Sequence, residues 1–297
     1  MALPCCSGCA EFCLTSAAIA ITDSTGCYNP RMTIRYLLAL SFLLLNACAS
    51  APPEPDPTRD GGLLWVKHSA EYRAMTEQVY ADATQDLPGF IEDTSWSAIP
   101  GQDDAAHLPV AVILDVDETV VSNIDFQLTF ERPFENWKLD EWTRSTVATP
   151  VHGVREFVES ARAAGVTVFF VTNRPCEPVE GTDDPCRQRQ STIDDIGEVG
   201  IETDADHVFL SDERGWNREK STRRDYIAQT HRVVMLIGDD LGDFLPCVRT
   251  KPYAPCTEKA TAASRMQMVE DSRHLWGNGW YILPNPMHGS WTPAVPR

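Results

Sequence analysis

From Val110 the chain runs Val110, Ala111, Val112, Ile113, Leu114 and then turns abruptly polar at Asp115, Val116, Asp117, Glu118, Thr119. A short β-branched and aliphatic run bounded in this way reads as a buried strand, and it delivers carboxylates at its C-terminal edge. Strand alternation places residues i and i+2 on one side, so Asp115 and Asp117 start out facing one site. Two like charges this close raise one pKa or recruit a cation. Either outcome suits chemistry, because an ionised carboxylate serves as nucleophile or metal ligand while a protonated partner serves as general acid. A lone Asp-x-Asp after a strand is more often a solvated acidic turn, and only the rest of the chain can decide against that.

Beyond this strand, helices and strands alternate. Val154–Ala164 is an amphipathic helix ending at Gly165, and Val166–Val171 is a second buried strand running out into Thr172, Asn173, Arg174. A helix over Arg187–Val199 precedes a third strand near His207–Leu210. A helix beginning near Glu219 carries Lys220 in its first turn, and Arg232–Ile237 is a fourth apolar strand ending in Gly238, Asp239, Asp240, Leu241, Gly242, Asp243. This pattern implies an α/β fold with a doubly wound parallel sheet. Leu63–Leu87 reads as one long helix with a stripe of Leu64, His68, Tyr72, Met75, Val79 and Ala83, ending near Pro88 and Gly89. It belongs to a small helical accessory region built from the N- and C-terminal segments. Polar residues just past the carboxyl ends of parallel strands line the ligand crevice, so Asp115, Asp117, Thr172, Lys220, Asp239 and Asp243 converge at one edge.

Carboxylates from two strand ends form a hard-oxygen site suited to Mg²⁺, which shares its shell with a phosphate. Thr172 and Lys220 supply donors for phosphate oxygens. A metal alone does not need the lysine; an oxyanion substrate does. The inferred chemistry is attack by Asp115 on phosphorus to give an aspartyl-phosphate. Asp117 protonates the leaving oxygen and then takes a proton from the attacking water. Asp117 must then begin protonated, which predicts an acidic pH optimum. The segment Ser122–Thr149, with Phe126, Phe130, Phe134, Trp137 and Trp142, is either a packing flap or a substrate wall.

Upstream, Arg31 and Arg35 precede an apolar run from Tyr36 to Leu45, followed by Asn46, Ala47 and Cys48. This reads as a secretion signal too short to be a comfortable transmembrane helix. Leu45, Asn46, Ala47, Cys48 resembles the bacterial lipobox, in which the cysteine is lipidated and becomes the mature N-terminus. Ala49 after it favours the outer membrane, and a cleaved signal with an incidental cysteine is the alternative. Residues 1–48 are thus a leader, with Met32 the expected true start. Residues 49–62, rich in proline, are a tether, and residues 63–297 are the folded domain. Cys176 with Cys186 and Cys247 with Cys256 form two local pairs, read as disulfides in an oxidising compartment, with zinc as the rival. The formal charge of −18 excludes a nucleic-acid polymer as partner, since a polyanion would be repelled.

As a set, Asp115-Val116-Asp117-Glu118-Thr119, Val171-Thr172-Asn173-Arg174, Lys220 and Gly238-Asp239-Asp240-Leu241-Gly242-Asp243-Phe244 resemble the haloacid dehalogenase-like superfamily. More narrowly they resemble the bacterial class C acid phosphatases, outer-membrane lipoproteins that include 5′-nucleotidases. The resemblance spans roughly Leu63 to Trp291. It implies Asp115 as nucleophile and metal ligand, Asp117 as acid/base that also offers its backbone carbonyl to Mg²⁺, and Asp239 and Asp243 at the metal. It further implies Thr172, Asn173 and Lys220 on the phosphoryl group of a small phosphomonoester, with membrane contact only through the lipid anchor. Asp240 stands where the family usually has Asn or Thr, adding negative charge beside the metal. His288, in the closing stretch Leu283–Trp291, replaces a tyrosine that stacks on the nucleobase, so Trp137, Trp142 and His288 are the stacking candidates. A catalytically idle surface lipoprotein that uses the same fold for binding is the competing function.

Overall fold

A computed structural model describes residues 57–131, 133–178, 183 and 185–295. The expected leader, its lipidation site at Cys48 and the start of the tether lie outside the described residues. The centre is a five-stranded sheet in the order β5-β4-β1-β6-β7, formed by β1 (Val110–Leu114), β4 (Thr167–Pro175), β5 (Val208–Ser211), β6 (Arg232–Gly238) and β7 (Trp280–Ile282). Every neighbouring pair runs parallel. The chain builds outward from β1 through β4 to β5 and then returns to the other side of β1 with β6. The switch point therefore lies between β1 and β6, where α/β sheets hold their ligands.

Alternation along the strands divides the core into two layers. Val112, Leu114, Val168 and Phe170 face one side, where they meet Tyr80, Ala83 and Leu87 of α2 (Ala70–Glu92), Val154, Phe157 and Val158 of α5 (Val154–Ala163) and Ile196 of α6 (Arg187–Glu198). Ala111, Ile113, Phe169 and Val171 face the other, packing with Ile227 of α7 (Ser221–Ala228), Phe244, Leu275 and Trp280. The segment after β1 forms a two-residue ribbon, β2 (Val121–Ser122) with β3 (Thr149–Pro150), which brackets α3 (Ile124–Thr129) and α4 (Asn136–Ser145).

The long N-terminal helix is in fact two. α1 (Pro57–His68) begins inside the stretch read as tether, and Ser69 ends it: its hydroxyl accepts from Tyr72 N at 3.0 Å and caps α2. The buried face of α2 is Tyr72, Thr76, Tyr80, Ala83 and Leu87, so Met75, at 45% exposed, is off the stripe. α2 also continues through Pro88 to Glu92 instead of stopping there. Arg232 accounts for this, since its guanidinium donates to the carbonyls of Phe90, Ile91, Asp93 and Trp96 and so satisfies the orphan acceptors of the helix end. Leu63 and Val66 of α1, Tyr72, Ile124 and Met287 form a small third cluster. That cluster seats the C-terminal segment beside the ribbon. The other element boundaries agree with the sequence reading to within a few residues, except that β4 runs on to Pro175 and carries Thr172, Asn173 and Arg174 within the strand.

Candidate active site

Asp115 sits one residue past β1, its backbone N donating to Ile237 O of β6 at 3.0 Å. Asp239 follows the end of β6, and Asp243 closes the short 3₁₀ turn Leu241–Asp243. Gly238 is required for this turn, because a Cβ there would meet Asp243 Oδ2 at 2.3 Å. The result is a cluster in which carboxylate oxygens of Asp115, Asp239 and Asp243 lie within 4.8 Å of one another. Lys220, the cap of α7, reaches in with Nζ 2.5 Å from both Asp115 Oδ1 and Asp243 Oδ1.

The electrostatics ask for more positive charge than the lysine provides. Burial, with Asp243 and Asp117 adding to it, pushes Asp115 up to about 7 against the pull of Lys220. Burial together with Asp115 and Asp243 pushes Asp239 well above the usual carboxylate range. Burial alone would lower the Lys220 ammonium, but the two carboxylates on it hold it above its ordinary value. A buried all-oxygen set with two carboxyls held up by mutual repulsion fits a divalent cation, which would relieve that repulsion.

Asp117 differs from expectation. Its carboxylate accepts from Arg174 Nη2 at 2.8 Å and Nε at 3.0 Å, from Asn123 Nδ2 at 2.8 Å and from Thr172 Oγ1 at 3.2 Å. Burial raises its pKa, yet the Arg174 charge and these hydrogen bonds outweigh that and hold it below the ordinary value. Asp117 therefore rests ionised, not protonated as the acid role inferred from sequence required. Arg174 is itself buried and also pairs with Asp195 of α6. It belongs to the Val171–Arg174 motif, yet the motif alone assigns it no role. Its position two residues past Thr172 in one strand, on the same face, was the available signal.

The remaining expected residues divide. Asn173 lines the cavity beside the cluster, its Oδ1 accepting from Arg223 Nη2 at 2.8 Å. Thr172 is fully buried, its hydroxyl donating to Asp117 Oδ2 at 3.2 Å and accepting from Arg174 N at 3.0 Å. Trp137 lines the cavity and is 57% exposed. Trp142 is half-buried and packs on Phe126 at 5.7 Å, in a ring cluster with Phe130 and Phe134, and is not among the residues lining the cavity. His288 lines the cavity with Nε2 3.5 Å from Glu118 Oε1, and that carboxylate raises its pKa against the effect of burial. Both cysteine pairs are disulfide-bonded.

Two C-terminal residues were not anticipated. Asn285 Nδ2 donates to Asp239 Oδ2 at 2.6 Å, and Ser290 donates through Oγ to Asp240 Oδ1 at 2.7 Å and through its backbone to Oδ2. Asp240 also caps the 3₁₀ turn through Gly242 N at 2.8 Å. Burial raises the Asp240 carboxyl, but these donors hold it below its ordinary value. Its charge adds to the upward pressure on Asp239, as expected, but its oxygens are spent on fastening the C-terminal segment.

The cavity in front of the cluster has a volume of about 920 Å³. Among the described residues no helix is long and apolar enough to cross a membrane. A family model described as HAD superfamily, subfamily IIIB (Acid phosphatase) matches residues 63–291. The structure of the class C acid phosphatase from Bacillus anthracis superimposes with a TM-score of 0.62 at 26% identity, covering 80% of this chain and 87% of that one. The same enzyme with tungstate bound gives 0.63 at 25% identity, with 80% and 89% covered.

Proposed function

The chain belongs to subfamily IIIB of the HAD superfamily, the acid phosphatases, and on that premise we propose that it hydrolyses small phosphomonoesters, nucleoside 5′-monophosphates among them, through an aspartyl-phosphate on Asp115. The observation that carries this reading is Lys220 bridging Asp115 and Asp243 at the edge where β1 and β6 end. A cation site alone would not bury an ammonium among its ligands; an incoming dianion needs one. Asp115, Asp239 and Asp243 would hold Mg²⁺, joined by Asp117. Bound there, the ion supplies charge that offsets repulsion between a carboxylate nucleophile and phosphoryl oxygens.

Asp115 Oδ forms the bond to phosphorus as the ester P–O bond breaks. Lys220 neutralises charge on both the nucleophile and the group it attacks. The electron pair leaves on the ester oxygen, which takes its proton from Asp117. A phosphoryl dianion entering beside Asp117 competes for Arg174 and Thr172, and this raises the carboxyl's proton affinity, so that Asp117 takes up a proton from solvent before the ester bond breaks. With the alcohol gone, the ionised Asp117 takes a proton from the water that cleaves the aspartyl-phosphate. The lipobox-like Leu45–Cys48 supports attachment to the cell envelope through lipid on Cys48. The idle-binding alternative has no support from the site, where the nucleophile position is intact and paired.

The test is release of phosphate from p-nitrophenyl phosphate and nucleoside 5′-monophosphates by the exported protein, with and without EDTA, beside Asp115→Asn. Release that EDTA stops, that Mg²⁺ restores and that the substitution abolishes is the expected result. A folded protein that releases no phosphate from any ester would overturn the proposal.

A further inference from the structure

The chain carries a formal charge of −18, and the cations around its reaction centre are expected to be matched by carboxylates. Four of the six lining the cavity are: Arg174 by Asp117 and Asp195, Lys220 by Asp115 and Asp243, and Arg144 and Arg187 by Asp140. Arg218 and Arg249 are not. Arg218 donates to a neutral group, Asn136 Oδ1 at 3.2 Å. The Arg249 guanidinium has no hydrogen-bond or ion-pair partner among the described residues. Asp240, the carboxylate that feels its charge, already accepts from Gly242 and twice from Ser290.

Neither arginine stands on a loose arm. Arg249 lies inside the loop closed by Cys247–Cys256, and its carbonyl accepts from Ala260 N at 3.0 Å. That loop is fastened to the segment carrying Arg218 and Lys220: Asn217 Nδ2 donates to Ala254 O at 2.9 Å, and Glu219 Oε2 accepts from Cys247 N at 3.2 Å. The two guanidinium groups are thus held by segments tied to each other, opening on the cavity that also receives Lys220. The volume of about 920 Å³ is far more than a phosphoryl group fills, so a leaving group of some size is accommodated beside it.

We propose that Arg218 and Arg249 form a second anion subsite, which binds an oxyanion carried on the leaving group of the substrate. Resting on the phosphatase reading, this narrows the preferred substrates to phosphomonoesters that bear a further carboxylate or phosphate. A guanidinium presents its donors in a planar fork that matches both groups, and without a competing carboxylate the fork is open to the ligand.

The experiment compares matched esters with the full-length protein. Glycerate 3-phosphate against glycerol 3-phosphate tests a carboxylate, and a nucleoside 3′,5′-bisphosphate against the 5′-monophosphate tests a phosphate. The readout is the ratio of kcat/KM within each pair for the wild type, Arg218→Gln, Arg249→Gln, the double variant and Arg249→Lys. We expect a wild-type ratio of about tenfold or more in at least one pair, falling about tenfold in the double variant, mainly through KM. Arg249→Lys should retain part of it. The pair that responds identifies the oxyanion. A wild-type ratio near one in both pairs, or a ratio unchanged in the double variant, overturns the subsite while leaving the phosphatase intact. No hydrolysis of any of the four esters overturns both.

Discussion

Replacing Arg174 by glutamine would leave Asp117 and Asp195 without the guanidinium that lies between them. Because Asp117 is held below the ordinary carboxylate range, its pairing contributes stability above that range and loses it as pH falls through the depressed value. In Arg174→Gln the Asp117 carboxyl rises, so the alkaline limb of the kcat/KM profile, where the leaving-group acid is lost, should move to higher pH. Removing one partner of a buried pair should also lower unfolding free energy by about 3–5 kcal/mol in urea titration. Asn285→Ala should leave Asp239 free to turn, raising the Mg²⁺ concentration for half-maximal activity about 10–100-fold. The clustered carboxylates were legible in the sequence because they follow two apolar strands, β1 and β6, whose ends alone bring them together. Asn285 was not, because its partner is 46 residues away and no periodicity relates the two. The resting charge of Asp117 escaped for a similar reason: spacing shows proximity of carboxylates, but not the cation that takes sides between them.

Among the elements, α2 shows how a sequence stripe slips. Its buried face includes Thr76 and Tyr80, residues a purely apolar count passes over. Tyr80 is placed there by a hydrogen bond from its hydroxyl to Thr119 O at 2.8 Å and by contact with Gly153, where a Cβ would come within 2.9 Å of the tyrosine. Both partners lie far along the chain, so the phase of the helix is set by tertiary packing. The break before it was passed over although its signal is local: Ser69 offers its hydroxyl to Tyr72 N, and an apolar count running through Leu64 and His68 does not register a cap. Ser69→Ala should lower stability by about 1 kcal/mol, read as a lower urea midpoint at unchanged slope. The four strands marked in the sequence, β1, β4, β5 and β6, are apolar runs buried on both faces and have no phase to mistake, whereas the three-residue β7 is too short to show a pattern.

At the scale of the molecule, the sheet order puts the reaction centre at the switch between β1 and β6, and its final parts come from beyond β7. A chain ending at Pro284 retains all five strands of the main sheet but lacks Asn285 and Ser290. It should keep its parallel-sheet far-UV signature and lose most metal-dependent phosphate release. The fastening of the C-terminal segment to Asp239 and Asp240 also imposes an order on biosynthesis. The ribosome adds Asn285 and Ser290 after every strand, so a nascent chain can acquire its framework before it can acquire a competent reaction centre. A polypeptide still emerging from the ribosome should therefore leave untouched the phosphorylated metabolites of the compartment that makes it.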